Sequence, residues 1–472
     1  MRILFVEDDF AQSEFFREEI AKLSGVDAVF AADRDSAFTE LNANIFDMIV
    51  LDLKIPATIG SAEDRLHGES VHAHILLKAQ GTPTIICSGF GDAGVVADFA
   101  ERRGHGDPWG KGTNQALTIH RDKTKLAECL ALIGKANEEV KILESIDIST
   151  RGKELELKRY HITLLRLYAR LNGGENVSVS SLGGGLSSAR TLRVEIHDAK
   201  GSIVSRAVAK LDTVETVRKE RSRYQKFITP NLDLGAFAHE ISFVECGAGE
   251  MGGLFYGLAG KYAESGFDLL RRDPRAAGAM VRSLREFEKA WEESGSQEVH
   301  SVRDIRRGLI SDEAMVRIAG EIVFDWQALE NISVKLWMCP QHRDLHLFNV
   351  LIRDGVVPLF IDYGEVGRAP GCLDPITLEL SLLFHPGCKV DGAVWPTLER
   401  AAIWPDVAQY GEGCSCIDFV RECRNWAFAR PTDRGVFAVV YAYAMRQLKY
   451  PDTNHKLALV IAEAARSKII GV

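Results

Sequence analysis

Three polar side chains surround a short apolar hairpin in the second half of the chain. Asp344 precedes the first apolar stretch, Asn349 begins it, and Asp362 follows the second stretch. Phosphoryl transfer from ATP requires a carboxylate near the attacking hydroxyl and oxygen ligands for Mg²⁺. Asp344 is the candidate carboxylate, and Asn349 and Asp362 are the candidate metal ligands. The pattern therefore predicts phosphotransfer chemistry that uses ATP and Mg²⁺.

The residues around these positions resemble the catalytic loop of the protein-kinase-like superfamily. The tripeptide His-Arg-Asp ends at Asp344, and Asp-Tyr-Gly begins at Asp362. His346 stands where protein kinases usually carry lysine, so Asp-Leu-His-x-x-Asn looks like the aminoglycoside- and choline-kinase branch of small-molecule phosphotransferases. Arg343 is more typical of protein kinases, but no Ala-Pro-Glu follows Asp362. The resemblance implies a hydroxyl-bearing acceptor and leaves its class open, with a preference against an ordinary protein kinase.

A second set of polar residues follows predicted strands in the first 140 residues. Apolar stretches alternate there with helix-like segments, which predicts a doubly wound parallel sheet. These stretches are residues 2–6, 28–30, 48–51, 84–87 and 116–119. Because the carboxyl ends of parallel strands share one edge, the polar residues that follow them should lie together, and three carboxylates there need a cation. They are Glu7, Asp8, Asp52, Ser88 and Lys123.

This set resembles the receiver domain of bacterial response regulators over residues 1–132. The resemblance implies that Asp52 accepts a phosphoryl group as an acyl phosphate, from a cognate histidine kinase or another phosphodonor. It also implies that Glu7 and Asp8 help to hold Mg²⁺ together with Asp52. The switch residues expected to contact the phosphoryl oxygens are Ser88 and Lys123.

Two segments depart from the usual receiver pattern. Residues 58–68 and 104–115 look like insertions, and the second supplies Lys111 as an alternative to Lys123. We prefer Lys123 because it follows an apolar strand and precedes a helix. His120 stands where receivers often have an aromatic switch residue, although a plain strand-end histidine is the simpler interpretation.

Residues 173–262 carry features of a nucleotide-binding lobe. A glycine-rich turn between two predicted strands could bring backbone amides close to phosphates. Lys210 ends the next strand and resembles the lysine that pairs with the ATP phosphates. Glu220, or alternatively Glu215, on the following helix could pair with Lys210 and orient it. The glycines of the turn are Gly183, Gly184 and Gly185.

These assignments divide the chain into four segments. They are a receiver domain (1–140), a helical connector (141–172), a kinase-like N-lobe (173–262) and a helical kinase-like C-lobe (263–472). The predicted fold is an α/β doubly wound, flavodoxin-like parallel sheet followed by an α+β bilobal protein-kinase-like domain. The connector could mediate a homodimer or could pack on the next domain. Asp374 resembles an aspartate that fixes the second lobe in aminoglycoside-kinase relatives, and is expected to be structural.

The composition is that of a globular protein. The 472 residues are 46% hydrophobic and 26% charged, which predicts two or three domains. The net charge of -9 argues against general nucleic-acid binding. The apolar run at 436–445 is too short to span a bilayer, and scattered cysteines favour reduced thiols in the cytoplasm. A zinc site at Cys414, Cys416 and Cys423 lacks an obvious fourth ligand.

Together these features predict a two-component response regulator whose output domain transfers a phosphoryl group from ATP to a hydroxyl acceptor. Phosphorylation of Asp52 is expected to gate the output by changing how the first domain docks on residues 150–260. One alternative is a non-catalytic kinase-like adaptor that binds nucleotide and a partner protein. Another is a protein kinase that acts on a signalling partner.

Overall fold

The computed structural model describes most of the chain. The described residues are 1–89, 99, 104–151, 155–182, 190–258, 262–355, 357–388, 395–430 and 432–471. The chain divides into two compact units. Unit 1 contains residues 1–217 and 240–257, and unit 2 contains residues 218–239 and 258–472. The boundaries of the four predicted segments stay a prediction.

The described residues of the first part of unit 1 form nine strands and four α-helices. The strands are β1 (Arg2–Val6), β2 (Asp27–Ala31), β3 (Met48–Leu51), β4 (Ile55–Pro56), β5 (Glu63–Asp64), β6 (Thr84–Ser88), β7 (His105–Gly106), β8 (Gln115–Ala116) and β9 (Thr118–Asp122). The described helices are α1 (Phe10–Ile20), α2 (Arg34–Ala43), α3 (Arg65–Lys78) and α4 (Leu126–Glu144).

Five of these strands form a parallel sheet in the order β2-β1-β3-β6-β9. This order confirms the predicted doubly wound sheet, and the last strand begins two residues later than expected. The apolar side chains of β1 and β3 are buried, because helices cover both faces of such a sheet. The two segments predicted as insertions contain short hairpins, β4–β5 and β7–β8.

The rest of unit 1 contains a second sheet. Its elements are β10 (Asp147–Thr150), α5 (Arg159–Leu171), β11 (Asn176–Ser181), β12 (Arg190–His197), β13 (Ile203–Thr213), the start of α6 (Val214–Arg223), β14 (His239–Val244) and β15 (Met251–Gly257). The strand order is β10-β11-β12-β13-β15-β14. The connector is therefore not entirely helical, because β10 pairs in parallel with β11 and joins this sheet.

One continuous apolar core joins the two sheets of unit 1. It contains Phe5 from β1, Ile133 from α4 and Val194 from β12. Tyr168 of α5 stacks on Phe255 of β15 with ring centroids 3.9 Å apart, and neither ring is exposed. Burying one such aromatic side chain stabilises a fold by about 1.5–3 kcal/mol. The receiver-like sheet therefore shares a hydrophobic core with the second sheet.

Unit 2 is rich in helix but also contains strands. The described strands are β16 (Tyr262–Ser265), β17 (Ser296–Ser301), β18 (Ser333–Gln341), β19 (Val350–Arg353), β20 (Val357–Phe360) and β21 (Gly367–Pro370). The described helices are α7 (Gly266–Arg272), α8 (Pro274–Phe287), α9 (Lys289–Glu293), α10 (Val302–Arg307), α11 (Asp312–Ile318), α12 (Trp326–Glu330), α13 (Leu373–Phe384), α14 (Leu398–Ala402), α15 (Val407–Tyr410), α16 (Ile417–Ala427), α17 (Asp433–Gln447) and α18 (His455–Ile470).

Two three-stranded sheets support the loop that contains Asp344. One has the order β16-β19-β20 and includes the predicted hairpin, and the other has the order β17-β18-β21. The second sheet departs from the expectation of a helical C-lobe. β17 was not predicted because its sequence, Ser-Gln-Glu-Val-His-Ser, is mostly polar. A mostly antiparallel sheet followed by this helix-rich unit confirms the predicted α+β class. Among the described residues, no helix is long and apolar enough to cross a membrane.

Candidate functional site

The polar ends of β1 and β3 form an acidic cluster in unit 1. Glu7 and Asp8 follow β1, and Asp52 follows β3. The parallel pairing of Val6 with Leu51 brings these strand ends together. Ligand oxygens of the three carboxylates all lie within 4.8 Å of one another. Carboxylate oxygens at this spacing fit Mg²⁺, which prefers hard oxygen donors.

Lys123 lies against this acidic cluster. Its Nζ donates to Asp52 Oδ2 at 2.6 Å and to Glu7 Oε1 at 3.1 Å. The residue directly follows β9, which pairs in parallel with β6. The alternative residue, Lys111, instead pairs with Glu139 at 2.8 Å. The structure therefore brings Lys123, and not Lys111, to Asp52.

Burial controls the charge of the acidic cluster. It is the main cause that raises the pKa of Glu7 to about 7; Asp52 adds to this rise, and Lys123 opposes it. Burial also raises the pKa of Asp52, against the lowering effect of Lys123. The pKa of Asp8 is raised by burial as well. A divalent cation would offset the repulsion among these carboxylates more fully than one ammonium group does.

Ser88 and His120 lie on neighbouring strands at the same edge. Ser88 ends β6 and is fully buried, and the pairing of Leu51 with Ile86 sets its strand beside that of Asp52. The Oγ of Ser88 lies 3.4 Å from Nε2 of His120. The His120 ring is therefore in contact with the hydroxyl group of Ser88, the predicted switch residue.

In unit 2, Asn349 and Asp362 lie at the same end of the β19–β20 hairpin. The strands pair from Val350 with Phe360, and the Ile361 N–H donates to the Asn349 carbonyl at 3.1 Å. Asp362 is the next residue along the chain. The hairpin thus brings the two predicted metal ligands together, and their amide and carboxylate oxygens fit Mg²⁺.

The loop that carries Asp344 is held through its backbone. The Asn349 Nδ2 donates to the Asp344 carbonyl oxygen at 2.8 Å, which leaves the Asn349 Oδ1 for a metal. Asp374 accepts from the N–H groups of His342 and Arg343 at 2.5 and 2.8 Å. The predicted structural aspartate therefore fixes the two residues immediately before Asp344.

A second buried acid, Glu288, accompanies Asp374. The two residues are only 2% and 0% exposed. Burial raises the pKa of Glu288 well above its ordinary value, and Asp374 raises it further. Burial also raises the pKa of Asp374 to about 6, although His342 and Arg343 favour its charged form. Burial and Asp374 therefore both favour the neutral form of Glu288, which its place directly after α8 did not reveal in the sequence.

Two basic side chains flank the Asp344 carboxylate. Arg446 Nη2 lies 3.5 Å from Oδ1 and His346 Nε2 lies 3.7 Å from Oδ2. Burial lowers the pKa of His346, and the charges of Asp344 and Asp362 oppose that effect. Asp344 and Asp362 therefore both favour the charged form of the His346 imidazole. Sequence analysis missed Arg446, because a cation in the last turn of a helix is common.

Tyr363 fixes the chain at Asp362. Its buried hydroxyl donates to the Phe360 carbonyl at 2.5 Å and accepts from the Ala238 N–H at 2.9 Å. Asp362 has a φ of 64°, in the left-handed region that non-glycine residues rarely adopt. Such backbone strain is found at functional sites when the surrounding contacts hold it in place.

The predicted nucleotide-binding residues are divided between the units. Lys210 lies on β13 of unit 1, is 8% exposed, and pairs across the sheet with Leu254. Glu220 lies in the unit 2 part of α6 and is buried, whereas Glu215 is exposed. The pairing of Lys210 with Glu220 stays a prediction. The predicted glycine-rich turn, Gly183, Gly184 and Gly185, lies outside the described residues.

Within the described ranges, the acidic cluster is the only group of three or more His, Cys, Asp or Glu side chains spaced for a metal ion. Cys414 and Cys416 have Sγ atoms 3.5 Å apart, but they and Cys423 do not form such a group. Asn349 and Asp362 are not such a group, because they are only two residues and only one of them carries a carboxylate. Mg²⁺ keeps several waters and takes few protein ligands, so two are sufficient there.

Comparisons with known proteins give matches only among solved structures. No protein-family model matches the chain, and no curated protein matches it. The receiver domain of a Francisella response regulator is 20% identical, with a TM-score of 0.22, and the match covers 30% of this chain and 96% of that one.

Other matching structures are phosphotransferases. Aminoglycoside phosphotransferase APH(3'')-Id from Streptomyces rimosus is 19% identical, with a TM-score of 0.30, and covers 56% of this chain and 96% of its own. A thermostable mutant of APH(4)-Ia is 14% identical, with a TM-score of 0.36, and covers 62% of this chain and 95% of its own. These structures belong to the two kinds of protein that the sequence resembles. At these identities and TM-scores the matches assign neither an activity nor a substrate to this chain.

Proposed function

We propose that this protein is a response regulator whose output is an ATP-dependent phosphotransferase acting on a hydroxyl acceptor, gated by phosphorylation of Asp52. One observation carries the proposal. The β19–β20 hairpin gathers Asn349 and Asp362 at one end, beside the loop of Asp344 that Asp374 anchors. This is the set of groups that phosphoryl transfer needs.

Asp344 would accept the proton of the acceptor hydroxyl late in the transfer step. Asn349 and Asp362 would hold Mg²⁺, which supplies neutralisation of the phosphate charge when it is bound. Lys210, oriented by Glu220, would contact the ATP phosphates together with the backbone of Gly183, Gly184 and Gly185. Catalysis of this kind depends mainly on alignment and charge stabilisation.

In unit 1, Asp52 would accept a phosphoryl group from a cognate histidine kinase or a small phosphodonor. Glu7 and Asp8, with Asp52, would hold Mg²⁺ for that reaction. Lys123 already lies 2.6 Å from Asp52, so its ammonium would remain next to the new phosphoryl oxygens. A phosphorylated side chain carries about -1.5 to -2 charges, which changes the field around Lys123 and Ser88.

The shared core of unit 1 supports gating by small rearrangement. The receiver-like sheet, α5 and the second sheet bury a continuous set of apolar side chains. Full separation of these parts would expose that core to water, at a cost far above what one phosphoryl group supplies. The proposed signal therefore passes through repacking around α4 and α5, and not through release of the receiver.

The test is ATP consumption by the purified full chain, with and without hydroxyl acceptors. Wild type should consume ATP, and Asp344→Ala should bind ATP but turn over at least 100-fold more slowly. Treatment with acetyl phosphate should change the wild-type rate and leave Asp52→Asn unchanged. Equal wild-type and Asp52→Asn responses would reject the gating. Binding of ATP without consumption in every condition would favour a non-catalytic adaptor.

A further inference from the structure

Arg446 lies directly beside the proposed proton acceptor. It occupies the last turn of α17, and its Nη2 is 3.5 Å from Asp344 Oδ1. The two side chains are 25% and 34% exposed, so both are partly accessible to solvent. An acceptor whose hydroxyl contacts Asp344 would therefore lie next to this guanidinium.

The guanidinium has capacity for another anion. Among the described residues, its ion-pair partner within 4 Å is Asp344, at the long distance of 3.5 Å, and its side chain also bonds to the Tyr450 side chain, so only part of its five N–H donors is used. A guanidinium prefers two parallel hydrogen bonds to one carboxylate or phosphate. The Asp344 contact does not supply that geometry, so a bound carboxylate or phosphate would use Arg446 more fully.

Two further ionisable side chains lie near Asp344. His346 Nε2 lies 3.7 Å from Asp344 Oδ2, and burial lowers the pKa of this imidazole. Asp362 acts on the same imidazole, and the proposed function assigns the charge of Asp362 to Mg²⁺. At Arg446 itself, a cationic group of the acceptor would meet like charge, whereas an anionic group would meet opposite charge.

We propose that the acceptor is a small hydroxyl compound that carries a carboxylate or phosphate group, and that Arg446 binds this group. This inference rests on the proposed function. The acceptor hydroxyl oxygen forms a bond to the γ-phosphorus of ATP as the bond to the β–γ bridging oxygen breaks, ADP leaves, and the hydroxyl proton passes to Asp344. Arg446 stays charged and exchanges its Asp344 contact for the acceptor anion, which frees Asp344 for the hydroxyl.

The test uses matched acceptors with the full chain. One set is glucose, glucuronate, glucose 6-phosphate and glucosamine, and another is glycerol, glycerate, glycerol 3-phosphate and 3-amino-1,2-propanediol. The two anionic members of each set separate a carboxylate from a phosphate preference. Each acceptor is tested with wild type, Arg446→Gln, Arg446→Lys and the control Arg421→Gln, whose exposed side chain pairs with Asp418 elsewhere in unit 2.

We expect anionic members to be consumed in preference to neutral and aminated ones. Arg446→Gln should raise their KM at least 10-fold with the KM for ATP unchanged, Arg446→Lys should recover part of the loss, and Arg421→Gln should match wild type. Preferred turnover of aminated acceptors, or an unchanged KM in Arg446→Gln, would overturn the inference.

A second measurement does not depend on turnover. Binding of inorganic phosphate to the full chain is measured by calorimetry for wild type and Arg446→Gln, which share the same receiver. Loss of one phosphate site in Arg446→Gln supports the anion site, and identical isotherms reject it. Absence of ATP consumption with this site intact would reject the proposed function alone, so the two failures are distinguishable.

Discussion

Asp52 in unit 1 is 2% exposed and meets Lys123 at 2.6 Å, whereas Asp344 in unit 2 has a side chain 34% exposed and meets Arg446 at 3.5 Å. The first site concentrates three carboxylates against one lysine, with their pKa values raised by burial. At the second site the Asp344 side chain is partly exposed, and the buried acids are Glu288 and Asp374, of which Asp374 holds the loop before Asp344.

The two sites differ in how the surrounding residues act on the carboxylate. At Asp52 the side chain itself is desolvated, so its charge depends on Lys123 and on a cation. At Asp344 the backbone is fixed by Asp374 while the side chain stays accessible, so its position depends on the loop. The carboxylate that we propose becomes phosphorylated and the one that we propose accepts a proton therefore stand in different surroundings.

The largest expected effect is on turnover at the open site. Asp362→Asn keeps the shape and the left-handed backbone but removes the charge that would hold Mg²⁺. We expect ATP turnover to fall about 1000-fold, which corresponds to about 4 kcal/mol of barrier. Steady-state ATP consumption with Mg²⁺ titration measures it. Asp354→Asn, at the exposed turn of the same hairpin with a φ of 52°, is the matched control, and an equal loss there would contradict the metal assignment.

The next effect is on the stability of the desolvated site. Lys123→Met removes the cation and leaves Glu7 and Asp52 buried together. Breaking a buried pair in this way costs about 3 kcal/mol, and Mg²⁺ should restore part of it. Urea unfolding followed by hydrogen exchange in β1 and β3 measures the change. Lys111→Met, which breaks an exposed pair with Glu139, should cost under about 1 kcal/mol. No loss in Lys123→Met, with or without Mg²⁺, would show that the cluster does not need the lysine.

A smaller effect concerns how the free energy of unfolding depends on pH through the buried acids Glu288 and Asp374. Glu288 and Asp374 have folded pKa values above their ordinary values, so their stabilising contribution is present at low pH. The contribution of Asp374 is lost as the pH rises through about 6, its pKa, and that of Glu288 is lost as the pH rises through its own raised pKa. Glu288→Gln removes the titration of Glu288, so the variant should gain about 1–2 kcal/mol relative to wild type between pH 5 and pH 8.

Urea unfolding of unit 2 at both pH values measures this gain. Glu286→Gln is the matched control, because Glu286 lies on the same helix with its side chain 72% exposed. If the free energies of unfolding of wild type and Glu288→Gln changed equally with pH, Glu288 would not titrate with a raised pKa.

The smallest expected effect concerns an exposed contact within unit 1. Lys78 of α3 pairs with Glu250 at 3.1 Å, with both side chains about 40% exposed. Lys78→Ala should lower the free energy of unfolding by under about 1 kcal/mol, because the shared core carries the contact between the sheets. Urea unfolding at low and high salt measures it, with Lys22→Ala as the exposed-pair control. A loss of several kcal/mol would mean that ion pairs, and not the core, join the two sheets.

Much of the fold was predictable because its strands are apolar and end in polar residues. The strands that precede Glu7 and Asp52 followed this rule. The β19–β20 hairpin did so as well, since apolar stretches separate Asn349 from Asp362. The choice of Lys123 over Lys111 followed from the apolar stretch before it and the helix after it, although the strand observed there, β9, has the sequence Thr-Ile-His-Arg-Asp.

Other features left no such signal. β17 is built of polar residues, and β10 is a strand within a connector that we expected to be helical. Arg446 follows Asp344 by about one hundred residues, so only the packing of α17 brings it to the loop. Glu288 looks like a surface charge in the sequence, and its burial is decided by the fold.

The most direct test of the account is transfer of the γ-phosphoryl group from labelled ATP by wild type and Asp344→Asn. Asparagine keeps the size of the side chain but cannot take the hydroxyl proton. The account predicts equal ATP affinity for both proteins and at least 100-fold less label transfer by Asp344→Asn. Equal label transfer by the two proteins would contradict the assignment of the open site as a phosphotransfer centre.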